Sequence, residues 1–285
     1  MRSIAAVLLL ALPGIPASAQ EPSPPTVDEI MKQVEVEMAK VKDYTAIMYK
    51  QERFVDKLGP VEKMSIKFAS PFKVYIKFLT VHKGREAIYV RGRNSNEAKV
   101  HKGSFPDLTV NLDPRGSMAM EGNHHPVTDF GLDNTMRVAR KNLATARKHG
   151  EGEFSVTDGG LIDGKATWRI ESKFPRGGYF TTAKDDETLW HIADRTGQDM
   201  YVIMYCNRKN YDEPDDPDEG DKVFIPRYYG GRSEFFLEKK TLMPLKVTTW
   251  DWDGKMYETY EYHDLKLNVG LSRKDFDPDN KAYDF

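Results

Sequence analysis

The 285-residue chain sets 42 lysines and arginines against 44 aspartates and glutamates, a net charge of −2 that is not the footprint of a nucleic-acid binder. Cys206 is the single cysteine, so no internal disulfide exists and an exported protein of this sequence depends on burial for stability.

Arg2, the apolar run from Ile4 to Leu12 and the small-x-small site Ala17-Ser18-Ala19 read as a signal peptide over residues 1–19. The run is too short to span a bilayer. The mature chain is therefore expected to start near Gln20, to be exported to the periplasm or cell envelope, and to carry no transmembrane segment. Thr26-Val27-Asp28-Glu29 then forms a capping box, and Val27, Ile30, Met31, Val34, Met38 and Val41 recur at helical spacing.

Strands follow. Met64, Ile66 and Phe68, then Phe72, Val74, Ile76 and Phe78, alternate with polar residues, as in an antiparallel sheet with one wet face. Leu58-Gly59-Pro60, Lys83-Gly84, Asp163-Gly164 and Asp253-Gly254 supply turns. His124-His125 precedes a proline, and neighbours in an extended chain point to opposite faces, so joint metal ligation is not expected and no metal is assigned. Leu132, Met136, Ala139, Leu143 and Ala146 mark one face of a helix near Leu132 to His149. Further strands are expected around Glu86 to Arg91, Lys165 to Ser172, Ser233 to Glu238, Leu245 to Trp252 and Tyr257 to His263.

The fold class is thus α+β, a curved antiparallel sheet with covering helices over residues 26–176 and 232–285. Its twist bends such a sheet toward a partial barrel around an apolar space. Ile66, Phe68, Val74, Ile76, Phe78 and Trp168 are the candidate lining. The same residues packed solid by helix side chains would make a scaffold without cargo.

Residues 179–226 interrupt the sheet and differ in charge, with 12 acidic and 5 basic residues, so that the rest of the chain sums to +5. Tyr179-Phe180-Thr181 opens a strand, Leu189, Ile192 and Ala193 fall on one helical face, Gly197 ends that helix, and Tyr201 to Cys206 suggests a second. Lys222-Val223-Phe224-Ile225-Pro226 closes the module as a strand. Between them, Asp212 to Glu219 lacks the alternation and mid-loop glycine of a calcium-binding EF-hand and reads as a solvated acidic loop. Paired glycines, Gly177-Gly178 and Gly230-Gly231, flank the module and are expected to give slack, with few contacts crossing the joins.

This strand-helix-helix-strand order, with Tyr179, Thr188-Leu189, Ile192-Ala193, Asn207 and Gly220 through Ile225-Pro226, resembles a LysM domain. One departure is Asp186-Glu187 where the family has Gly-Asp. The resemblance implies binding of an N-acetylglucosamine-containing glycan, peptidoglycan, by Asp186, Glu187, Thr188, Leu189, Asn207, Asn210 and Tyr211. Cys206 is expected to be a small apolar residue of that module's core.

The rest of the chain also resembles a known family. Leu242-Met243-Pro244-Leu245, Trp250 to Lys255, Tyr260 to Asn268 and Asp275-Phe276-Asp277-Pro278, with Gly116 to Met120 and His125-Pro126-Val127, are similar to a bacterial family of domains of unknown function, number 1571, related to LolA-type lipoprotein carriers. The resemblance implies a half-barrel that holds acyl chains or binds envelope proteins. Gly-x-Ser-x-Gly, His-Glu-x-x-His and Cys-His pairings are absent from the sequence; Asp251, Asp253, Glu258 and Glu261 read as an outward strand face. No catalytic residue and no cofactor are assigned, and the expected protein is a non-enzymatic envelope carrier of a lipid or lipidated ligand, or a scaffold of the same fold.

Overall fold

The structure is a computed structural model describing residues 24–54, 56–210 and 216–285, so the expected signal peptide lies outside the described residues. In chain order the elements are α1 (Val27–Met38), β1 (Asp43–Phe54), β2 (Lys57–Leu58), β3 (Glu62–Ala69), β4 (Lys73–Phe78), β5 (Glu86–Val90), β6 (Ala98–His101), β7 (Thr109–Leu112), α2 (Ser117–Met120), α3 (Leu132–His149), β8 (Glu153–Ile162) and β9 (Lys165–Lys173). They continue with β10 (Gly178–Thr182), α4 (Leu189–Thr196), α5 (Met200–Cys206), β11 (Lys222–Pro226), β12 (Arg232–Glu238), β13 (Pro244–Trp250) and β14 (Met256–Leu267).

One sheet of 12 strands forms the body, in the order β7-β6-β5-β4-β3-β1-β14-β13-β12-β9-β8, with β2 beside β1. All its pairings are antiparallel. The inner face carries the main core, where Ala46, Ile66, Val74, Ile170, Leu237, Leu245 and Val247 meet α1 and α3. The capping box forms as expected: the Thr26 hydroxyl accepts the Glu29 N–H, and the Glu29 carboxylate accepts the Thr26 N–H. That start turns Val27, Ile30, Met31, Val34 and Met38 onto the sheet. Helix α3 buries Leu132, Met136, Ala139, Leu143 and Ala146 and stops at Gly150 in the left-handed region. On the outer face the C-terminal segment lays Tyr283 flat on Tyr75, with ring centroids 4.0 Å apart.

The central strand β1 is where the sequence expectation fell short. Its inward residues run Tyr44, Ala46, Met48, Lys50 and Glu52, so the apolar alternation ends in two charges although all five are buried. Strands β6, β7 and β8 were also unforeseen; β7 and β8 lie at the two ends of the sheet and are largely exposed.

The module forms a two-stranded sheet of β10 and β11, from Gly178 opposite Pro226 to Thr182 opposite Lys222, crossed by α4 and α5. Helix α4 is capped by Thr188, whose side chain accepts the His191 N–H, and Gly197 ends it at φ +68°. The module is not separate from the body. Its core of Leu189, Ile192, Tyr201, Ile203, Tyr205, Val223 and Ile225 includes Tyr229 and Tyr257, with Phe54 and Val138 packed against it. Nor do the second pair of glycines provide slack. A Cβ on Gly230 would lie 2.5 Å from Thr249 Cγ2, and one on Gly231 2.8 Å from the Asp251 carbonyl oxygen, so these glycines allow close approach to β13 and the turn after it.

Candidate functional site

Between the inner face of the sheet and the strap of residues 113–131 lies a cavity of about 180 Å³. Met48, Met64, Ile76, Phe78, Ala87 and Val100 line it from the sheet, and Met118, Val127 and Phe130 from the strap. Its floor is charged. Lys50, Glu52, Asn123, His125, Tyr229, Glu258 and Tyr260 all reach it.

Strand register explains the change from apolar wall to polar floor. Met48 faces Tyr262, Lys50 faces Tyr260 and Glu52 faces Glu258 across β1 and β14, and every second residue points inward. Lys50 ties the strap to the sheet through the Gly122 carbonyl at 3.0 Å and Asn123 Oδ1 at 2.6 Å. It also pairs with Glu62 at 2.9 Å and Glu52 at 3.2 Å. Glu258 Oε2 is crowded: His124 Nδ1 lies at 2.9 Å, the Tyr229 hydroxyl at 2.8 Å and the Tyr260 hydroxyl at 3.0 Å. The Tyr260 hydroxyl is also 2.5 Å from Glu52 Oε1, so its one proton serves only one of the two carboxylates.

These groups hold their charges despite burial. Burial works to raise the Glu258 carboxyl, but His124 and His125 outweigh it and hold it well below the usual carboxylate range. Burial likewise opposes charge on Lys50 and His125. Glu52 and Glu62 keep Lys50 above its ordinary value, and Asp199 and Glu258 keep His125 well above its own. The Tyr229 and Tyr260 hydroxyls are pushed well up by burial and by the Glu258 charge, so they stay protonated donors.

The module closes the floor from behind. Asp199, the N-cap of α5, pairs with His125 at 3.3 Å, and Tyr201 stacks on the His124 ring with centroids 3.9 Å apart. The Tyr205 hydroxyl donates to Asp251 Oδ2 at 2.7 Å.

Of the residues read from the sequence as cavity lining, Ile76 and Phe78 line it. Ile66 and Val74 are packed solid in the core. Phe68 stacks on Tyr44 at 5.1 Å and lines a second groove, with Phe72, Arg91 and Arg137, rather than this cavity. Trp168 packs at the edge of the core beneath the Lys239 ammonium, 4.2 Å from its ring centroid, and does not reach the cavity. Glu258 and Asp251 are corrections as well, since both are buried and not on an outward face. Glu261 does point outward, to Lys246 and His263.

The candidate glycan residues divide similarly. Asp186 is exposed at φ +54°, in the left-handed region, and Asn210 is exposed. Glu187 instead turns inward, ion-paired with Arg195 at 2.5 Å and accepting the Lys184 N–H at 3.1 Å. Thr188 caps α4. Leu189 is buried, its N–H given to Asp216 Oδ1 at 2.9 Å. Asn207 is committed to the fold, donating to the Ile203 and Phe224 carbonyls and accepting the Phe224 N–H, so its amide is not free for a sugar. Tyr211 lies outside the described residues. Cys206 packs against the module's core, and burial pushes its thiol up to about 12.

Lys50 and Glu52 of the floor, and His124 packed beside Glu258, were not singled out from the sequence as a site. The available signal was parity: Tyr44, Met48 and Glu52 share one face of an extended chain.

Comparison with solved structures finds low-identity similarity over most of the chain. The chain is similar to MucB in complex with MucA from Pseudomonas aeruginosa (TM-score 0.43, 9% identity, covering 87% of this chain and 59% of that one). It is similar to the lipoprotein LppX of Mycobacterium tuberculosis (TM-score 0.41, 8% identity, 87% and 99% covered). A putative outer membrane lipoprotein-sorting protein domain from Vibrio parahaemolyticus is similar at TM-score 0.34 and 11% identity, with 87% and 95% covered. No curated protein matches the chain by sequence. Among the described residues no helix is long and apolar enough to cross a membrane. The signature of a family of proteins of unknown function, DUF1571, matches residues 41–229 and 226–285, and the chain belongs to that family.

Proposed function

We propose that this protein is a non-enzymatic cell-envelope protein that takes an apolar, acyl-bearing ligand into the half-barrel cavity and touches peptidoglycan through the inserted module. The observation that carries the first part is the cavity itself: a space of about 180 Å³ walled by Met64, Ile76, Phe78 and Ala87 beside the main core. Apolar walls with a few convergent polar groups at one end suit a ligand with an apolar tail and a polar head. Met118, 72% exposed, sits at the cavity wall and suits an entrance for such a tail. The polar floor favours binding over catalysis, because its carboxylates, imidazoles and hydroxyls are engaged with one another.

Glycan binding is supported by the strand-helix-helix-strand order, by Asp186 holding the left-handed turn where the LysM pattern has glycine, and by the exposed aromatic rings of Tyr179 and Phe180 on β10. Export follows from the N-terminal sequence pattern. The test of the cavity is titration with a fluorescent fatty-acyl probe, comparing wild type with Ala87→Phe, which places a ring in the cavity. Saturable binding to wild type that is lost in the variant, with the folded baseline retained, supports the proposal; no binding to wild type overturns it. For the glycan, co-sedimentation of the full chain with purified peptidoglycan should fall in an Asp186→Ala/Asn210→Ala variant. Unchanged sedimentation places wall affinity elsewhere.

A further inference from the structure

We propose that Glu52, His124 and Glu258 form a binding site for one divalent cation of the zinc class at the floor of the cavity. The three come from β1, the strap and β14, and their side-chain donor atoms all lie within 4.8 Å of one another. They are nearly sealed from solvent, at 4%, 1% and 4% exposure. His124 Nδ1 and Glu258 Oε2 are 2.9 Å apart, the separation of adjacent ligands on one ion whose bonds are about 2.0–2.2 Å.

The imidazole is already oriented for this role. Its Nε2 lies 2.9 Å from the Arg53 carbonyl oxygen, which only accepts, so Nε2 carries hydrogen and Nδ1, beside Glu258, is the nitrogen that would bind the ion, giving up the proton it shares with that carboxylate. Tyr201 stacked at 3.9 Å and Tyr257 at 4.6 Å hold the ring plane.

Charge also favours a cation. Lys50 pairs with Glu62 at 2.9 Å and His125 with Asp199 at 3.3 Å. Two carboxylates and one imidazole bound through a bare Nδ1 make a donor set of charge −2, which a divalent cation would neutralise; without it Lys50 stands 3.2 Å from Glu52, and the Tyr229 and Tyr260 hydroxyls stand 2.8 and 3.0 Å from Glu258. The contact of Lys50 with Glu52 falls on Oε2, at 3.2 Å, while Oε1 lies 2.5 Å from the Tyr260 hydroxyl. One nitrogen and two carboxylate oxygens suit zinc or a neighbouring transition ion, and three protein ligands leave a position open toward the cavity. The two adjacent histidines do not share the ion; His124 alone contributes, which is how a site survives the opposite-face geometry.

The test uses the full chain stripped with a chelator and titrated with zinc against a chromophoric competitor at neutral pH. Wild type should take up one equivalent, and Glu258→Gln and His124→Gln should each lose roughly tenfold or more in affinity. His263→Gln, on the outer face, should not change it. Because either floor variant could lower stability, a second measurement is made on wild type alone: zinc should raise its melting temperature in proportion to occupancy. Absence of uptake by wild type, or uptake equal in both glutamine variants and wild type, overturns the site. The titration contains no apolar ligand, so its failure leaves the cavity reading untouched.

Discussion

Phe78 stands where core becomes cavity: it closes the apolar wall and also carries the Arg85 guanidinium 5.8 Å from its ring centroid. Truncating a phenylalanine in a filled core costs about 3–5 kcal/mol. Phe78→Ala removes a wall, so chemical denaturation should show a loss below that range while acyl-probe affinity falls clearly. A full-sized stability loss with no effect on the probe would mark Phe78 as core. Glu187 makes a second prediction at this scale. Its hydrogen bond to Arg195 holds the carboxyl below its ordinary value of 4.5, so its contribution to stability is present above that pH and is lost as pH falls through the lowered native value. Melting temperature should fall less steeply with acid in Glu187→Gln than in wild type; identical profiles would contradict the pairing. Residue environments were the least legible part of the sequence. Glu258 beside Tyr257 and Tyr260 looks like an outward face, and only its pairing with Glu52 places it inside. Asn207 fits a glycan motif, yet it is tied to the Ile203 carbonyl of α5 and, through both its amide groups, to Phe224 of strand β11, 17 residues downstream.

At the scale of elements, α5 decides how the module relates to the body. Its apolar face was legible from Tyr201, Ile203 and Met204, but not that Tyr201 and Tyr205 would pack against Tyr257 of β14. Local spacing fixes which residues share a face and says nothing about which distant element covers it. The consequence is a shared core. Tyr201→Ala should remove roughly 3–5 kcal/mol, as for other large-to-small changes in packed interiors, and lower the single melting transition of the whole protein. Calorimetry showing two transitions, with only one of them moved, would mean that the module folds alone. Helices α1 and α3 were legible because each shows an apolar face at helical spacing, and α1 also carries the Thr26–Glu29 capping box at its start.

For the whole molecule, the alternation of Met64 to Phe78 and the turns at Gly84, Gly164 and Gly254 were enough to predict a curved antiparallel sheet, and the sheet forms. Its extent was not legible, since β6, β7 and β8 are short or exposed and β1 ends in buried charges that imitate a surface strand. Those charges matter most to the account, for they turn one end of an apolar half-barrel into a polar floor beneath the cavity. The most direct test is native mass spectrometry of the full-length gene product purified from its own cells without detergent. The account predicts a population heavier than the polypeptide by the mass of one acyl-bearing molecule, released on denaturation and identifiable in the organic extract, and absent from Ala87→Phe. A wild-type protein found only at its bare polypeptide mass, which also binds no acyl probe when one is added, would contradict it.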